Sequence, residues 1–268
     1  MNAGGKLIDL SSPKLMGILN ITPDSFYDGG RYSSVDAALH RAERLLFEGA
    51  DMLDIGAYSS RPGAANVTTD EEQARILPVI EALTKHFPDS ILSVDTFRAD
   101  VARASIEAGA HIINDISGGT MDDRMFSTVA ELKVPYILMH MRGTPKTMQQ
   151  LTDSTDLVDE VNLFFGKQIA TLRQMGVIDI ILDPGFGFAK TLQQNYELLN
   201  RLEELHIHGL PILGAISRKS MIYKKLGTTP EEALNGTTAL NTLLLAKGVS
   251  ILRVHDVKPA KEVITLMT

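Results

Sequence analysis

Eight short runs rich in Ile, Leu and Val recur along the chain: Leu15 to Asn20, Met52 to Ala57, Ile91 to Thr96, Ile112 to Ser117, Tyr136 to Met141, Ile180 to Asp183, Ile212 to Ser217 and Ile251 to Asp256. Their apolar residues are continuous rather than alternating, the pattern of parallel strands covered on both faces. Between most of them lies a stretch with helical periodicity. Ala37 to Glu48, for example, places Ala38, Leu39, Ala42, Leu45 and Leu46 on one face. Thr69 to Glu72 and Thr229 to Glu232 read as capping boxes that open helices, the second with Pro230 at the first helical position. Eight βα units in about 250 residues predict an α/β fold of the TIM (β/α)8 barrel type, with a doubly wound sheet as the alternative arrangement. No Pro/Ser-rich linker or low-complexity tract splits the chain, so residues 1–268 are expected to form a single domain. The short N-terminal lead before Lys14 is expected to form a small hairpin closing the bottom of the barrel.

Composition narrows the function classes. The chain has no cysteine, which excludes a disulfide scaffold, a cysteine zinc module and a thiol nucleophile. With 44% hydrophobic residues and a net charge of −7 it is not a disordered chain. No apolar run is long enough to span a bilayer, and Met1 to Pro13 lacks the pattern of a signal peptide, so a soluble, cytoplasmic protein with no membrane partner is expected. The absence of any Lys/Arg run removes the footprint of a general nucleic-acid binder. A small-molecule enzyme is the class left in front.

Polar residues fall where a barrel core would not tolerate them. Asn20, Asp54, Asp95, Asn114, Asp183, Lys219, Arg253 and His255 each lie at or just beyond the C-terminal end of an expected strand. One Asn or Asp in such a place is commonly a turn or cap residue. In a barrel, however, all those ends converge on one mouth, where active sites are built. Asp95, Asn114, Asp183 and Lys219 supply acceptors and donors suited to the edge of a flat heterocycle carrying an amino group, an N–H and a carbonyl. Asn20, Arg61, Arg253 and His255 form an anion-attracting cluster. Ser217 to Ser220 and Arg253 to His255 follow the seventh and eighth strands, where barrels often hold phosphate. The implied ligand is a heterocycle beside a phosphate.

Two turn-rich loops, Thr22 to Gly30 and Tyr58 to Ala64, are candidate lids. Asp183 to Phe188 lacks the G-x-G-x-x-G spacing of a dinucleotide fingerprint. His40, His86, His111, His206 and His208 lie away from the strand ends and read as structural or surface residues, whereas His140 is closer to the mouth. The eleven methionines are scattered core filler, and no histidine pair has metal-ligand spacing.

Taken together, Gly17 to Phe26, Asp54 to Gly56, Ser60 to Ala64, Ser93 to Thr96, Ile113 to Ile116, Asp183 to Phe188, Ser217 to Ser220 and Arg253 to Asp256 carry a specific resemblance. In that order, across residues 14 to 256, the chain resembles the dihydropteroate synthases. The resemblance implies a single pterin-binding barrel domain and a transferase of folate biosynthesis. Such an enzyme condenses 7,8-dihydropterin-6-ylmethyl diphosphate with 4-aminobenzoate to give 7,8-dihydropteroate and pyrophosphate, with Mg2+ as cofactor.

By position, Asp95, Asn114, Asp183 and Lys219 would hold the pterin ring, and Asp54 would sit near the ring or steady its water network. Arg253 and His255 would bind the diphosphate, and Asn20 would coordinate magnesium on it. Ser60, Arg61, Pro62, Phe188, Lys219 and Ser220 would form the 4-aminobenzoate pocket, with the N-terminal N–H groups of the helix at Ser220 receiving the carboxylate. Asp28, on the first loop, would close on the reacting side. Asp28, Arg61, Asp95 and Lys219 are the residues expected to serve catalysis, which proceeds by loss of diphosphate followed by amine attack. The resemblance also implies sulfonamide inhibitors and a homodimer.

The chain departs from the family pattern once, in the second loop. The common continuation is Gly-Glu-Ser-Thr-Arg-Pro-Gly, where this chain has Ala57, Tyr58, Ser59, Ser60, Arg61, Pro62 and Gly63. A carboxylate is replaced by tyrosine and a threonine by serine, which bears on the ordering of that loop and on sulfonamide affinity. Two other readings are a pterin-binding methyltransferase of the related barrel group and a catalytically silent pterin-binding homologue. The first has no need of a diphosphate site, and the second would have lost residues at the mouth.

Overall fold

The apolar runs form parallel strands in the computed structural model of the chain, which describes residues 1–21, 34–58 and 67–268. A short antiparallel hairpin, β1 (Asn2–Ala3) and β2 (Lys6–Leu7), comes first. The strands that follow are β3 (Lys14–Asn20), β4 (Met52–Gly56), β5 (Ile91–Asp95), β6 (Ile112–Asp115), β7 (Tyr136–Met139), β8 (Ile180–Asp183), β9 (Leu213–Gly214) and β10 (Ile251–Val254). They pair in the order β8-β7-β6-β5-β4-β3-β10-β9, and a parallel bridge between Leu182 and Ile212 joins the two ends. The ring is the expected (β/α)8 barrel. Its connections carry α1 (Ser34–Phe47), α2 (Thr69–His86), α3 (Ala99–Glu107), α4 (Met125–Leu132), α5 (Leu157–Gln174), α6 (Leu192–Asn200), α7 (Ser220–Leu226), α8 (Leu234–Ala246) and α9 (Val257–Met267).

Alternation along each strand explains why the runs look continuous. Leu15, Leu19, Leu53, Ile55, Leu92, Val94, Ile113, Leu138, Leu182 and Leu252 pack outward against the helices in one large cluster. Met16, Met52, Ile112, Ile137, Ile181, Leu213 and Ile251 pack inward in a second cluster at the N-terminal end of the barrel. Ala3 and Ile8, on either side of the hairpin, complete that inner cluster, so the lead does close the barrel bottom. Gly17 lets α1 sit close to β3, since a Cβ there would meet Leu45 at 3.3 Å.

Helix starts deviate from expectation in two places. The capping box of α2 uses Thr68 and Glu71 rather than Thr69 and Glu72: Thr68 N donates to Glu71 Oε2 at 2.8 Å and Glu71 N to Thr68 Oγ1 at 3.2 Å. The shift leaves Glu72 pointing inward, 0% exposed, in an ion pair with Arg98. At Thr229 to Glu232 no helix opens; the segment makes turns, and α8 begins only at Leu234. Arg218 explains the difference, because its Nη1 donates to the carbonyl oxygens of Pro230 and Glu231 at 2.9 and 2.7 Å and holds that stretch as a turn.

Arg98 Nη2 also donates to Val67 O at 2.6 Å, and its guanidinium lies 4.7 Å from the Phe97 ring centroid. A buried carboxylate depends on such a partner. Arg98→Ala should therefore lower stability by about 3–5 kcal/mol in a urea melt, and Arg98→Met with Glu72→Leu should recover most of the loss. A single variant as stable as the wild type would contradict this assignment.

Candidate active site

The inner positions of the strands turn from apolar to polar toward their C-terminal ends. Neighbouring strands bring Asp54 opposite Ser93, Gly56 opposite Asp95, and Asp95 opposite Asn114. Asp54 is wholly buried and is held by three donors: Ser93 Oγ at 2.6 Å, Asn114 Nδ2 at 3.0 Å and Arg253 Nε at 2.6 Å. Arg253 Nη2 continues to Asp95 Oδ2 at 2.9 Å. Four of the eight expected residues thus form one network, with Asp54 at its base rather than at its open edge. Asn114 spends its amide N–H on Asp54, which leaves its carbonyl oxygen as the acceptor for a ligand.

Across the mouth, Asp183 ends β8 and accepts the Gly185 N–H at 2.8 Å. Lys219, which caps α7, donates from Nζ to Phe186 O at 2.6 Å and lies 4.7 Å from the Phe188 ring centroid. Burial draws the Lys219 ammonium down to about 8, against the opposing pull of Asp183, while burial raises the Asp183 carboxyl. Ser220 is the first residue of α7. Phe97, Ile116, Met139 and Met141 form a buried apolar cluster, with Phe188 and Tyr58 packed against it.

Asn20 and His255 stand at the ends of the adjoining strands. His255 Nδ1 lies 3.0 Å from Ser217 Oγ, which also accepts the His255 backbone N–H at 3.2 Å. Donating its own hydrogen to Nδ1 completes both groups, and this places the imidazole proton on Nε2. Burial, reinforced by Arg253, lowers His255 to about 4, so the ring is neutral near pH 7. Arg41 of α1 donates to His255 O at 2.8 Å and braces the same corner. Arg218 turns away to a two-bond ion pair with Asp256, at 2.8 and 2.9 Å, and ties the loops after β9 and β10 together. Asp28, Ser60, Arg61 and Pro62, with the loops Thr22 to Gly30 and Ser59 to Ala64, lie outside the described residues.

Ser93, Ser217, Arg41 and Lys190 belong to this region but do not stand out as candidates in the sequence. Ser93 and Ser217 lie inside the expected strands, and the inward register was the signal that could have shown them. His140 is buried beside Lys190, 3.1 Å from its Nζ. His86, His206 and His208 bond to Ala82 O, Lys247 O and Asn162 Oδ1 on the outside of the fold, as structural residues do.

A (β/α)8 barrel whose mouth gathers carboxylates, an amide, a lysine, an arginine and a histidine from different strand ends defines a small-molecule enzyme. Comparison with known proteins makes the class specific. The model of the pterin binding enzyme family matches residues 16–255. The dihydropteroate synthase of Escherichia coli K12 is 46% identical over 262 residues, covering 97% of this chain and 92% of its own. Among solved structures, the Yersinia pestis dihydropteroate synthase in a sulfonamide drug complex superposes with a TM-score of 0.93 at 44% identity, covering 99% of this chain and 97% of that one. The Xanthomonas albilineans dihydropteroate synthase with 4-aminobenzoic acid gives 0.93 at 40% identity, over 99% and 95% of the two chains. The chain belongs to the pterin-binding enzyme family, as one of its dihydropteroate synthases.

Burial raises the Asp95 carboxyl from 3.8 to about 7; Arg253 opposes the shift and Asp54 adds to it. A carboxyl raised in the folded state stabilises the fold below its unfolded value and loses that contribution as pH rises through the folded one. In calorimetry, the wild-type melting temperature should therefore fall relative to that of Asp95→Asn as pH rises from 3.8 to about 7. A difference that stays constant over that range would contradict the assignment.

Proposed function

We propose that the chain binds 7,8-dihydropterin-6-ylmethyl diphosphate with its ring against Asp95, Asn114, Asp183 and Lys219, and transfers the pterin methylene to the amino nitrogen of 4-aminobenzoate. The observation that carries this reading is the network on Asp54, which holds the amide of Asn114 and the guanidinium of Arg253 on one carboxylate at the mouth. A ring edge with an amino group and an N–H pairs with a carboxylate, and its carbonyl pairs with an N–H donor such as Lys219.

The C–O bond to the diphosphate breaks first, and the bonding electron pair leaves with the phosphate oxygen. The methylene cation that remains is delocalised into the pterin ring, and the carboxylates of Asp95 and Asp183 lower its energy. Arg253 and the Nε2–H of His255 receive the departing oxygens. The lone pair of the arylamine then forms the new C–N bond, and one N–H proton is released. No protein nucleophile takes part.

Magnesium fits this corner. Asn20 Oδ1 and Asp95 Oδ2 lie 3.6 and 3.8 Å from where a side chain on Gly56 would begin, so an amide and a carboxylate oxygen meet beside this glycine. Among the described residues no three His, Asp or Glu side chains converge as a metal site. A hard cation would accordingly rest on Asn20 and on the diphosphate itself, and when bound it would neutralise charge on the leaving group.

The 4-aminobenzoate pocket is assigned to Ser60, Arg61, Pro62, Phe188, Lys219 and Ser220, and Asp28 to the loop over the reacting centre. Support comes from the family motifs and from the aminobenzoate-bound and sulfonamide-bound relatives. Sulfonamides would compete in this pocket. Among the described residues no helix is long and apolar enough to cross a membrane. A cytoplasmic homodimer is the assembly we assign on the strength of the family resemblance, and light scattering reads its mass.

Purified protein given the dihydropterin diphosphate and 4-aminobenzoate should release pyrophosphate in a magnesium-dependent reaction, accompanied by dihydropteroate. Lys219→Ala and Asp183→Asn should each lower kcat/KM by about 100-fold or more, and Arg61→Ala should chiefly raise the KM for 4-aminobenzoate. Ring binding without pyrophosphate release would contradict the reading, as would near-wild-type rates in the first two variants.

A further inference from the structure

Asp183, Lys219 and Phe188 all depend on one turn, Gly185 to Phe188. Asp183 accepts the Gly185 N–H at 2.8 Å, Lys219 donates to Phe186 O at 2.6 Å, and the Lys219 ammonium lies 4.7 Å from the Phe188 ring centroid. The turn needs left-handed backbone at Gly185 (φ +69) and Gly187 (φ +84). It also presses closely on the adjoining strand end, since a Cβ on Gly185 would lie 2.1 Å from His140 O.

Beneath the turn sits Lys190, 5% exposed, a cation that the proposed reaction does not use. Its Nζ lies 3.0 Å from Gly185 O, 3.1 Å from Phe188 O and 3.1 Å from His140 Nδ1, with His140 O at 3.4 Å. Three N–H groups therefore meet the first and last carbonyls of the turn and the ring of the neighbouring strand end. Asn195 finishes the enclosure: it accepts Gly187 N–H at 2.6 Å and donates to Lys190 O at 3.2 Å.

We propose that Lys190 is a positioning residue for the transfer reaction, locking the Gly185 to Phe188 turn so that Asp183 and Lys219 meet the pterin ring while Phe188 meets the arylamine. The inference rests on the reading of the site given above. An ammonium is expensive to bury, and its four acceptors here are neutral groups. Its placement is explained by what it holds in shape. The charged and titratable groups facing Lys190 are Asp183 from β8, His140 after β7, Arg142, and Lys219 before α7. Burial draws Lys190 down to about 7; Asp183 opposes this, and Arg142 and Lys219 add to it. His140 is held well below its ordinary value, chiefly by burial, so its ring is a neutral acceptor. Above pH 7 the lysine loses its charge and one donor, and the lock loosens.

The test compares Lys190→Met and Lys190→Arg with the wild-type enzyme by steady-state kinetics and thermal melts. Lys190→Met should raise the KM for both substrates about 10-fold or more with kcat within about twofold of wild type, and Lys190→Arg should recover part of the loss. From pH 6 to 8 the wild-type KM for the pterin diphosphate should rise more steeply than that of Lys190→Met. If Lys190→Met does not fold, Lys190→Gln takes its place, with the same expected rise. Unchanged KM values would overturn the proposal, as would a kcat that falls only with the folded fraction or equal pH slopes in the two proteins. A wild type that releases no pyrophosphate would overturn the functional reading itself, and the two failures are therefore distinct.

Discussion

Asp54 carries a carboxylate into the interior of the barrel with no solvent exposure, and the rest of the mouth is arranged around satisfying it. Burying such a group without partners would cost several kcal/mol. Ser93, Asn114 and Arg253 supply the partners from three other strands. Each of those side chains is thereby fixed in one orientation. The parallel register makes this possible, because it sets Asp54 beside Ser93 and Asp95 beside Asn114 at adjacent levels of the barrel.

Both signs of charge meet on each side of the mouth. Arg253 is paired with Asp54 and Asp95 on one side of the mouth, beside His255 and its Arg41 brace, and Asp183 and Lys219 stand across from them. The enclosure that raises Asp95 and Asp183 also lowers Lys219. Ligand-free, the site is therefore electrostatically costly, and a polar heterocycle with a diphosphate tail would relieve that cost at both ends. Strain of this kind is common where a fold gives up stability for function.

The barrel was legible because its signal is repeated: eight apolar runs spaced by helical stretches leave few other folds. The polar strand ends were legible for the same reason, since topology alone carries Asn20, Asp95, Asp183 and His255 to one face. Side-chain partnership was less so. Ser93 and Ser217 are ordinary small residues until the inward register is known. Arg218 sits in a strongly recognisable motif yet turns outward to Asp256, holding Pro230 and Glu231 in turns where the sequence suggested a helix start. Lys190 was hidden because its function depends on backbone carbonyls that only the folded turn brings together. The capping box of α2 slipped by one residue because Thr68 and Glu71 serve the cap as well as Thr69 and Glu72 would, and only Glu72 has Arg98 to face.

The central claim is that the network on Asp54 and the Gly185 to Phe188 turn together present Asn114, Asp183 and Lys219 to a pterin ring. A crystal structure of the protein with 7,8-dihydropteroate and pyrophosphate tests it directly. The account predicts hydrogen bonds from the ring edge to Asn114 Oδ1, the Asp183 carboxylate and Lys219 Nζ, with pyrophosphate near Arg253 and His255. A ring bound elsewhere in the barrel mouth, with Asn114 and Asp183 untouched, would contradict it.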